Sequence, residues 1–183
     1  DLRYFQVPYD KFRTVQKISA AVYDENGKFI ESVPASRIMD VSEGGGFVSD
    51  SRAKRITFPV NRYPFTIEVE YDVVINGSLN LRSWYFQTDP YLSVEESGVQ
   101  YIIPNSVPFR YSEYNMNASF DSIRTEGHTV YSWVQRGIPT IKRWYFSPLA
   151  IARTPNLLAA IDDFEFGGIV GSMRSWTSLG EWA

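Results

Sequence analysis

The sequence offers one residue that titrates near neutral pH. His128 is the single histidine of the chain, and a histidine in a suitable constellation can act as a general base. No arrangement of serine and aspartate accompanies it, and it follows Gly127 in a predicted turn between two extended runs. We therefore interpret His128 as a solvated turn residue.

Two acidic groups are the other candidates for chemistry. Glu95 and Glu96 could form a carboxylate pair, but neighbours on a strand point to opposite faces and cannot easily share one substrate. Asp162, Asp163 and Glu165 offer oxygen ligands, yet they match no metal-binding loop of known spacing. We interpret them as a solvated acidic turn. The sequence therefore predicts no catalytic residue, no metal site and no cofactor.

The composition excludes several classes of protein. The chain has 183 residues, enough for one sizeable core, and its net charge of −3 argues against a nucleic-acid binder. The absence of cysteine excludes disulfides, thiolate metal sites and a cysteine nucleophile within this sequence. No apolar run approaches the roughly 20 residues of a membrane span. Because the first residue is Asp1, we expect a processed or trimmed N-terminus.

The aromatic content of 16% is the unusual feature of the composition. Aromatic side chains favour strands and large cores, and they also line sugar-binding faces. The densest group comprises Trp84, Tyr85, Phe86, Tyr91 and Tyr101. Since adjacent strand residues alternate between faces, at most half of this group can be exposed together. We interpret the group as core and keep a sugar-stacking platform as the alternative.

Most of the chain is predicted to form strands. The run from Phe65 to Ile75 alternates apolar and acidic residues, which indicates a strand with one buried face. Asn26-Gly27 and Glu126-Gly127 are typical of hairpin turns, and residues 44–46 are three glycines that predict a flexible loop. Further extended runs lie at residues 18–22, 28–30, 56–60, 84–86, 97–103, 109–114, 119–125, 129–135 and 161–166. The pattern predicts an all-β fold, an antiparallel β-sandwich that is immunoglobulin-like or larger, over residues 1–166.

The last residues predict a short C-terminal helix. Ser175 is the expected N-cap, and Trp176, Leu179 and Trp182 recur at helical spacing. The glycines at 167, 168 and 171 are typical of a linker, so we assign residues 167–183 to a linker and the start of a helix. Since a helix bearing two tryptophans needs a partner surface, we expect Trp176, Leu179 and Trp182 to contact a downstream domain of a longer protein.

Several segments, in order along nearly the whole chain, form a distinctive set: Val7 to Asp10, Ala21 to Lys28, Phe65 to Tyr71, Trp84 to Thr88, Val107 to Tyr111, Ile138 to Ile141, Pro148, Pro155 and Ser175 to Trp182. Taken together, they resemble a bacterial domain of unknown function numbered 3857. That family characteristically precedes a transglutaminase-like core. The resemblance implies a non-catalytic sandwich in a periplasmic or extracellular bacterial protein, whose Cys-His-Asp machinery, often used for peptide hydrolysis, would begin after Ala183.

Two functional hypotheses follow. The first is an accessory module that supports or positions a downstream transglutaminase-like or peptidase core. The second is a carbohydrate-binding module that uses surface aromatic side chains. Family members usually have further strands before the segment that matches Asp1–Asp10. We therefore expect an open sheet edge near the N-terminus, through which two copies could pair as a homodimer.

Overall fold

The computed structural model describes residues 3–42, 50–60, 63–79, 81–142, 146 and 148–182. It consists of antiparallel strands with one short C-terminal α-helix, which confirms the predicted all-β sandwich class. The chain divides into two compact units, Asp1–Asn76 and Gly77–Ala183. The predicted glycine loop at residues 44–46 lies outside the described residues. Among the described residues, none of the helical segments combines the length and the hydrophobicity that a membrane-spanning helix needs.

The first unit consists of two three-stranded sheets. Its strands are β1 (Tyr4–Tyr9), β2 (Arg13–Tyr23), β3 (Phe29–Ser32), β4 (Ile38–Ser42), β5 (Arg52–Thr57) and β6 (Thr66–Ile75), with a 3-10 turn at Ala35–Arg37. One sheet has the order β1-β5-β4 and the other has the order β3-β2-β6. The open edge predicted near the N-terminus corresponds to β1, the edge strand of the first sheet, and the homodimer stays a prediction.

The core of the first unit is aliphatic apart from one phenylalanine. The buried residues are Ala20, Val22, Val33, Ile56 and Phe58. The alternation predicted for β6 is confirmed: Ile67 and Val69 pack on this core, whereas Glu68 and Glu70 are exposed. Strand alternation therefore places the apolar half of β6 against the core and leaves its acidic half in solvent.

An ion-pair cluster lies on the β1-β5-β4 sheet of the first unit. Asp40 accepts hydrogen bonds from the Tyr9 hydroxyl at 2.7 Å, from Arg52 Nε at 3.0 Å and from Lys54 Nζ at 3.2 Å. The Tyr9 hydrogen bond, followed by the two cations, lowers the pKa of Asp40 to about 2. The cluster ties β1, β4 and β5 together through side chains as well as through their backbones.

The second unit contains two three-stranded sheets, a hairpin and the helix. Its elements are β7 (Trp84–Tyr85), β8 (Val94–Pro104), β9 (Phe109–Tyr114), β10 (Ser119–Arg124), β11 (His128–Ile138), β12 (Asn156–Ile161), β13 (Asp163–Phe166), β14 (Ile169–Ser172) and α1 (Trp176–Trp182), with a 3-10 turn at Ala150–Arg153. The sheets have the orders β10-β11-β8 and β7-β12-β9, and β13 pairs with β14.

The core of the second unit is rich in aromatic side chains. Its buried residues are Phe86, Tyr101, Ile103, Trp133, Ile138 and Leu157. The Trp133 side chain is completely buried, and its indole Nε1 donates a hydrogen bond to Glu113 Oε1 at 2.8 Å. This bond satisfies the one polar atom of the indole, as a buried tryptophan requires.

Whether residues 1–166 act as a single domain, as predicted, stays a prediction.

Candidate interdomain surface

The hairpin β13–β14 forms the platform for the C-terminal helix. Phe164 pairs with Gly171, and Phe166 pairs with Ile169. Residues 167 and 168, both glycines, connect the strands with φ values of +62° and +85°, the left-handed conformation that a two-residue hairpin turn requires. These two glycines, predicted to lie in a linker, therefore form a tight turn. A pair of glycines is compatible with either a flexible linker or a tight turn, so glycine content alone does not distinguish these two structures.

Trp182 packs on this hairpin. Its ring lies 4.9 Å from that of Phe164, at 82° to it, and 6.5 Å from that of Phe166. The strand opposite Phe164 carries Gly171, where a Cβ atom would lie 2.5 Å from Phe164 Cζ and 2.6 Å from Trp182 Cδ1. Only a glycine leaves room for the indole at this position.

The first turn of α1 is capped as predicted. Ser175 Oγ accepts a hydrogen bond from the Ser178 backbone N–H at 3.0 Å, and Ser178 Oγ accepts one from the Ser175 N–H at 3.1 Å. This reciprocal pattern satisfies backbone donors that a helix start leaves without intrahelical partners. Upstream, the Met173 N–H donates to the Asp162 carbonyl at 2.7 Å, and Arg174 forms an ion pair with Asp163. The entry to the helix is thereby fixed to the hairpin.

The structure separates the three residues predicted to contact another domain. Trp182 and Leu179 are half-buried, whereas Trp176 is 89% exposed. Six residues along an α-helix correspond to a rotation of about 120° between Trp176 and Trp182. The Trp176 indole therefore projects away from the hairpin on which Trp182 packs. The interdomain role of all three residues stays a prediction.

Two further apolar side chains are exposed near this region. Ile169 is 62% exposed and Val170 is 75% exposed, and both lie in β14 directly after the turn. Together with Trp176, these two residues expose a large apolar area on the hairpin and the helix. We call Ile169, Val170 and Trp176 together the C-terminal apolar surface, which spans both faces of the hairpin because the neighbours Ile169 and Val170 point to opposite sides of β14. Sequence reasoning finds Trp176 but misses the two β14 residues, because the glycines around them are typical of a linker.

The residues considered for acid–base chemistry are engaged in local interactions. His128 begins β11, with its Nδ1 3.2 Å from Thr125 Oγ1 in the hairpin turn. Glu96 accepts a hydrogen bond from Arg136 Nε at 2.6 Å, and neighbouring Glu95 is exposed. In the pairing of β8 with β11, His128 lies at one end of the ladder and Glu96 lies toward the other. The strands therefore keep the histidine and the two glutamates apart.

The acidic turn residues have separate partners. Asp162 lies 2.6 Å from Arg110 Nη2, Asp163 pairs with Arg174, and Glu165 accepts a hydrogen bond from a backbone N–H of the glycine turn. Within the described ranges, no three histidine, aspartate or glutamate side chains lie together as metal ligands would. The arrangement here is that of a charged surface which holds a turn and a helix entry in place.

The aromatic group around Trp84 follows the expected alternation. Phe86 and Tyr101 are buried in the core, Trp84 is half-buried, and Tyr85 and Tyr91 are exposed. The Tyr101 hydroxyl donates to a backbone carbonyl, that of residue 82, at 2.6 Å, and burial raises the pKa of this phenol. Most of the group is thus committed to packing and is not available as a sugar-stacking platform.

Comparisons with known proteins agree with the resemblance noted in the sequence. A family model described as a domain of unknown function with a solved structure, DUF3857, matches residues 1–142. The fold is similar to the crystal structure of a putative protease from Parabacteroides distasonis, with a TM-score of 0.71 and 17% sequence identity. The alignment covers 86% of this chain and 32% of that one, so our chain spans about a third of its solved neighbour. No curated protein matches the chain.

At this level of identity the structural neighbour shows the fold alone. The family model, in contrast, matches well over half of the chain, and its match includes all of the first unit and most of the second unit's sandwich. On that basis the protein belongs to the DUF3857 family.

Proposed function

We propose that this chain is a non-catalytic accessory module of a secreted bacterial transglutaminase-like or peptidase protein, located in the periplasm or outside the cell. In this proposal the module supports or positions a downstream catalytic domain through the C-terminal apolar surface. The observation that carries the proposal is Trp176, a large side chain that is 89% exposed at the start of a helix anchored to the module.

The geometry of α1 supports a docking role. A helix of seven residues is marginal on its own, but Trp182 and the Ser175–Ser178 cap hold this one on the hairpin. The backbone at Trp176 is therefore held in place before any partner arrives, which lowers the entropic cost of association. Burial of an indole against a neighbouring domain stabilises the assembly by about 2 kcal/mol, judged from large apolar side chains.

The comparisons support the modular part of the proposal. The solved neighbour is described as a putative protease, and the aligned region is only 32% of its chain. A DUF3857 module followed by a catalytic domain would account for an alignment that covers 32% of the neighbour's chain. The local hydrogen bonds of His128 and the ion pair of Glu96 support a non-catalytic module, because these side chains already serve structural contacts.

The test compares two lengths of the protein. We expect Trp176→Ala to lower the melting temperature of the protein made from the complete native reading frame, and to leave that of the 183-residue chain unchanged. Tyr91→Ala, at an exposed aromatic residue of the same unit outside the hairpin and helix, is the matched control for both lengths. Equal melting temperatures for wild type and Trp176→Ala in the complete protein would contradict the proposal.

A further inference from the structure

The strand β10 leaves a backbone edge open. It is the outer strand of the β10-β11-β8 sheet, and all six of its residues are exposed. Among the described residues, nothing pairs with its outer side. It contains no proline. Such an edge presents backbone donors and acceptors to any extended chain that fits beside it.

The hairpin turn identifies which backbone groups point outward. The Thr125 N–H donates to the His128 carbonyl at 2.9 Å, so these two residues form a hydrogen-bonded pair that closes the turn. In an antiparallel ladder, hydrogen-bonded and non-hydrogen-bonded pairs alternate. Counting back from Thr125, the N–H and C=O groups of Phe120, Ser122 and Arg124 are directed away from β11. These three residues supply the free hydrogen-bonding groups of the edge.

The side chains of the same three residues lie on the core-facing side of the sheet. Phe120 is paired with the buried Trp133, and alternation places Ser122 and Arg124 on the same face. An added strand would bring every second side chain against this row. The three side chains therefore offer a partner strand an aromatic contact at Phe120, a small polar contact at Ser122 and a cationic contact at Arg124.

An exposed aromatic pair marks one end of the row. The Phe120 ring is 45% exposed and lies 4.8 Å from the ring of Trp133. It also lies 5.8 Å from the ring of Tyr111, which is 41% exposed and belongs to β9, the edge strand of the second sheet. A large apolar side chain from a partner would rest on this pair, over a buried indole that holds it in place.

A cation marks the other end. Arg124 is exposed and takes part in no ion pair among the described residues. It offers a carboxylate two parallel hydrogen bonds. The edge strand β6 differs, since Glu68, Glu70 and Asp72 line one of its faces and repel an acidic strand. Arg124 therefore favours an acidic partner residue at this end of β10, and Asp121 lies on the opposite face of the strand.

We propose that the β10 edge binds an extended peptide by antiparallel strand addition. The peptide carries an acidic residue at position i against Arg124, a small residue at i+2 against Ser122, and an aromatic or large aliphatic residue at i+4 against Phe120 and Tyr111. This site goes beyond the proposed docking function, because it uses a different part of the second unit and needs no downstream domain.

The probe is a fluorescein-labelled synthetic peptide with the core Asp-Thr-Ser-Thr-Phe between lysines, titrated against the 183-residue chain by fluorescence anisotropy. We expect a Kd in the micromolar range, typical of short peptides on a sheet edge.

A peptide with Asp replaced by Lys and Phe replaced by Ser should bind at least about tenfold more weakly. Phe120→Ala and Arg124→Glu should each weaken binding of the first peptide by about tenfold, and Ile123→Ala, on the opposite face, should change it less than about twofold.

Backbone modification separates strand addition from other modes of binding. N-methylation of the peptide at i+2 blocks a hydrogen bond to β10 and should abolish binding, whereas N-methylation at i+1 should leave it intact. Ser122→Pro removes one outward N–H without touching the pairing to β11, and should abolish binding at an unchanged melting temperature.

Two outcomes would overturn the proposal. The first is a Kd that is insensitive to the position of the N-methyl group, or the absence of binding at about 1 mM peptide. The second is a dimer of the chain, seen by light scattering, that Ser122→Pro dissociates, because the edge would then be occupied by a second copy.

Discussion

The two units differ in how their cores relate to their surfaces. In the first unit the core is aliphatic apart from Phe58, and the acidic residues of β6 and the Asp40 cluster are exposed. In the second unit the core centres on Trp133, whose ring packs against half-exposed Phe120 and Tyr111. The aromatic core of the second unit thus extends to the surface through Phe120 and Tyr111, whereas Phe58 is the one aromatic residue in the described buried core of the first unit.

This difference is the basis for placing both proposed binding surfaces in the second unit. The acidic face of β6 discourages strand pairing at that edge, although the first unit also exposes apolar side chains such as Phe29 and Tyr63. Exposed aromatic and aliphatic side chains on fixed elements provide the rigid contacts that binding uses. Both surfaces that we propose for binding, the C-terminal apolar surface and the β10 edge, lie in the second unit.

The largest effect on stability is expected at the centre of the aromatic core. Trp133→Ala removes a fully buried ring and leaves Glu113 without its indole partner. We expect a loss of about 3–5 kcal/mol in the free energy of unfolding, compared with about 0.5–1.5 kcal/mol for Ile56→Val in the first unit. Urea denaturation measures both. A loss below about 1 kcal/mol for Trp133→Ala would show that the aromatic cluster is not the stabilising centre of its unit.

The next effect concerns the fit between the hairpin and the helix. Gly171→Ala brings a methyl group into van der Waals overlap with Phe164 and Trp182, since the nearest atoms are 2.5 and 2.6 Å from the Cβ position. We expect a loss of about 1–3 kcal/mol from this overpacking. Gly127→Ala is the matched control, because a Cβ there meets nothing within 4 Å. Equal unfolding free energies for the two variants would contradict the packing described for Trp182.

A smaller effect distinguishes the two tryptophans of α1. In the 183-residue chain, Trp176→Ala should change the free energy of unfolding by less than about 0.5 kcal/mol, because its indole is mostly in solvent. Trp182→Ala should cost more, since it removes the contacts with Phe164 and Phe166. Thermal denaturation of the two variants makes the comparison, and a reversed order would mean that Trp176 is the residue that anchors the helix.

The smallest effect belongs to the charged cluster of the first unit. Asp40 has its pKa lowered from 3.8 to about 2, so its ionised form stabilises the folded state. This contribution is fully present above pH 3.8 and is lost as the pH falls toward 2. We expect Asp40→Asn to reduce the drop in melting temperature between about pH 5 and pH 2.5, and the effect is small because the group is exposed. An unchanged drop would show that other carboxylates account for it.

Local patterns in the sequence predict local structure well. The alternation from Phe65 to Ile75 matches β6, and Asn26-Gly27 lies in the turn between β2 and β3, with Gly27 at a φ of +74°. The cap at Ser175 is also visible in the sequence, because capping depends on residues three positions apart. These features follow from side-chain periodicity and backbone preference alone.

Contacts between distant segments are beyond the reach of such patterns. Nothing in the sequence around Gly171 indicates that a side chain at this position would clash with Trp182. The requirement for glycine arises only because the helix folds back on the hairpin. Likewise, the meeting of Tyr111 with Phe120 depends on two edge strands from different sheets. Periodicity indicates which face a residue occupies, but not which strand lies opposite it.

The central claim, that Trp176 docks on a downstream domain, is tested most directly by the solvent access of its indole. Acrylamide quenching of tryptophan fluorescence, taken as the difference between wild type and Trp176→Phe, isolates this one residue. We predict strong quenching in the 183-residue chain and protection in the protein from the complete native reading frame. Equal quenching of Trp176 in both would contradict the account.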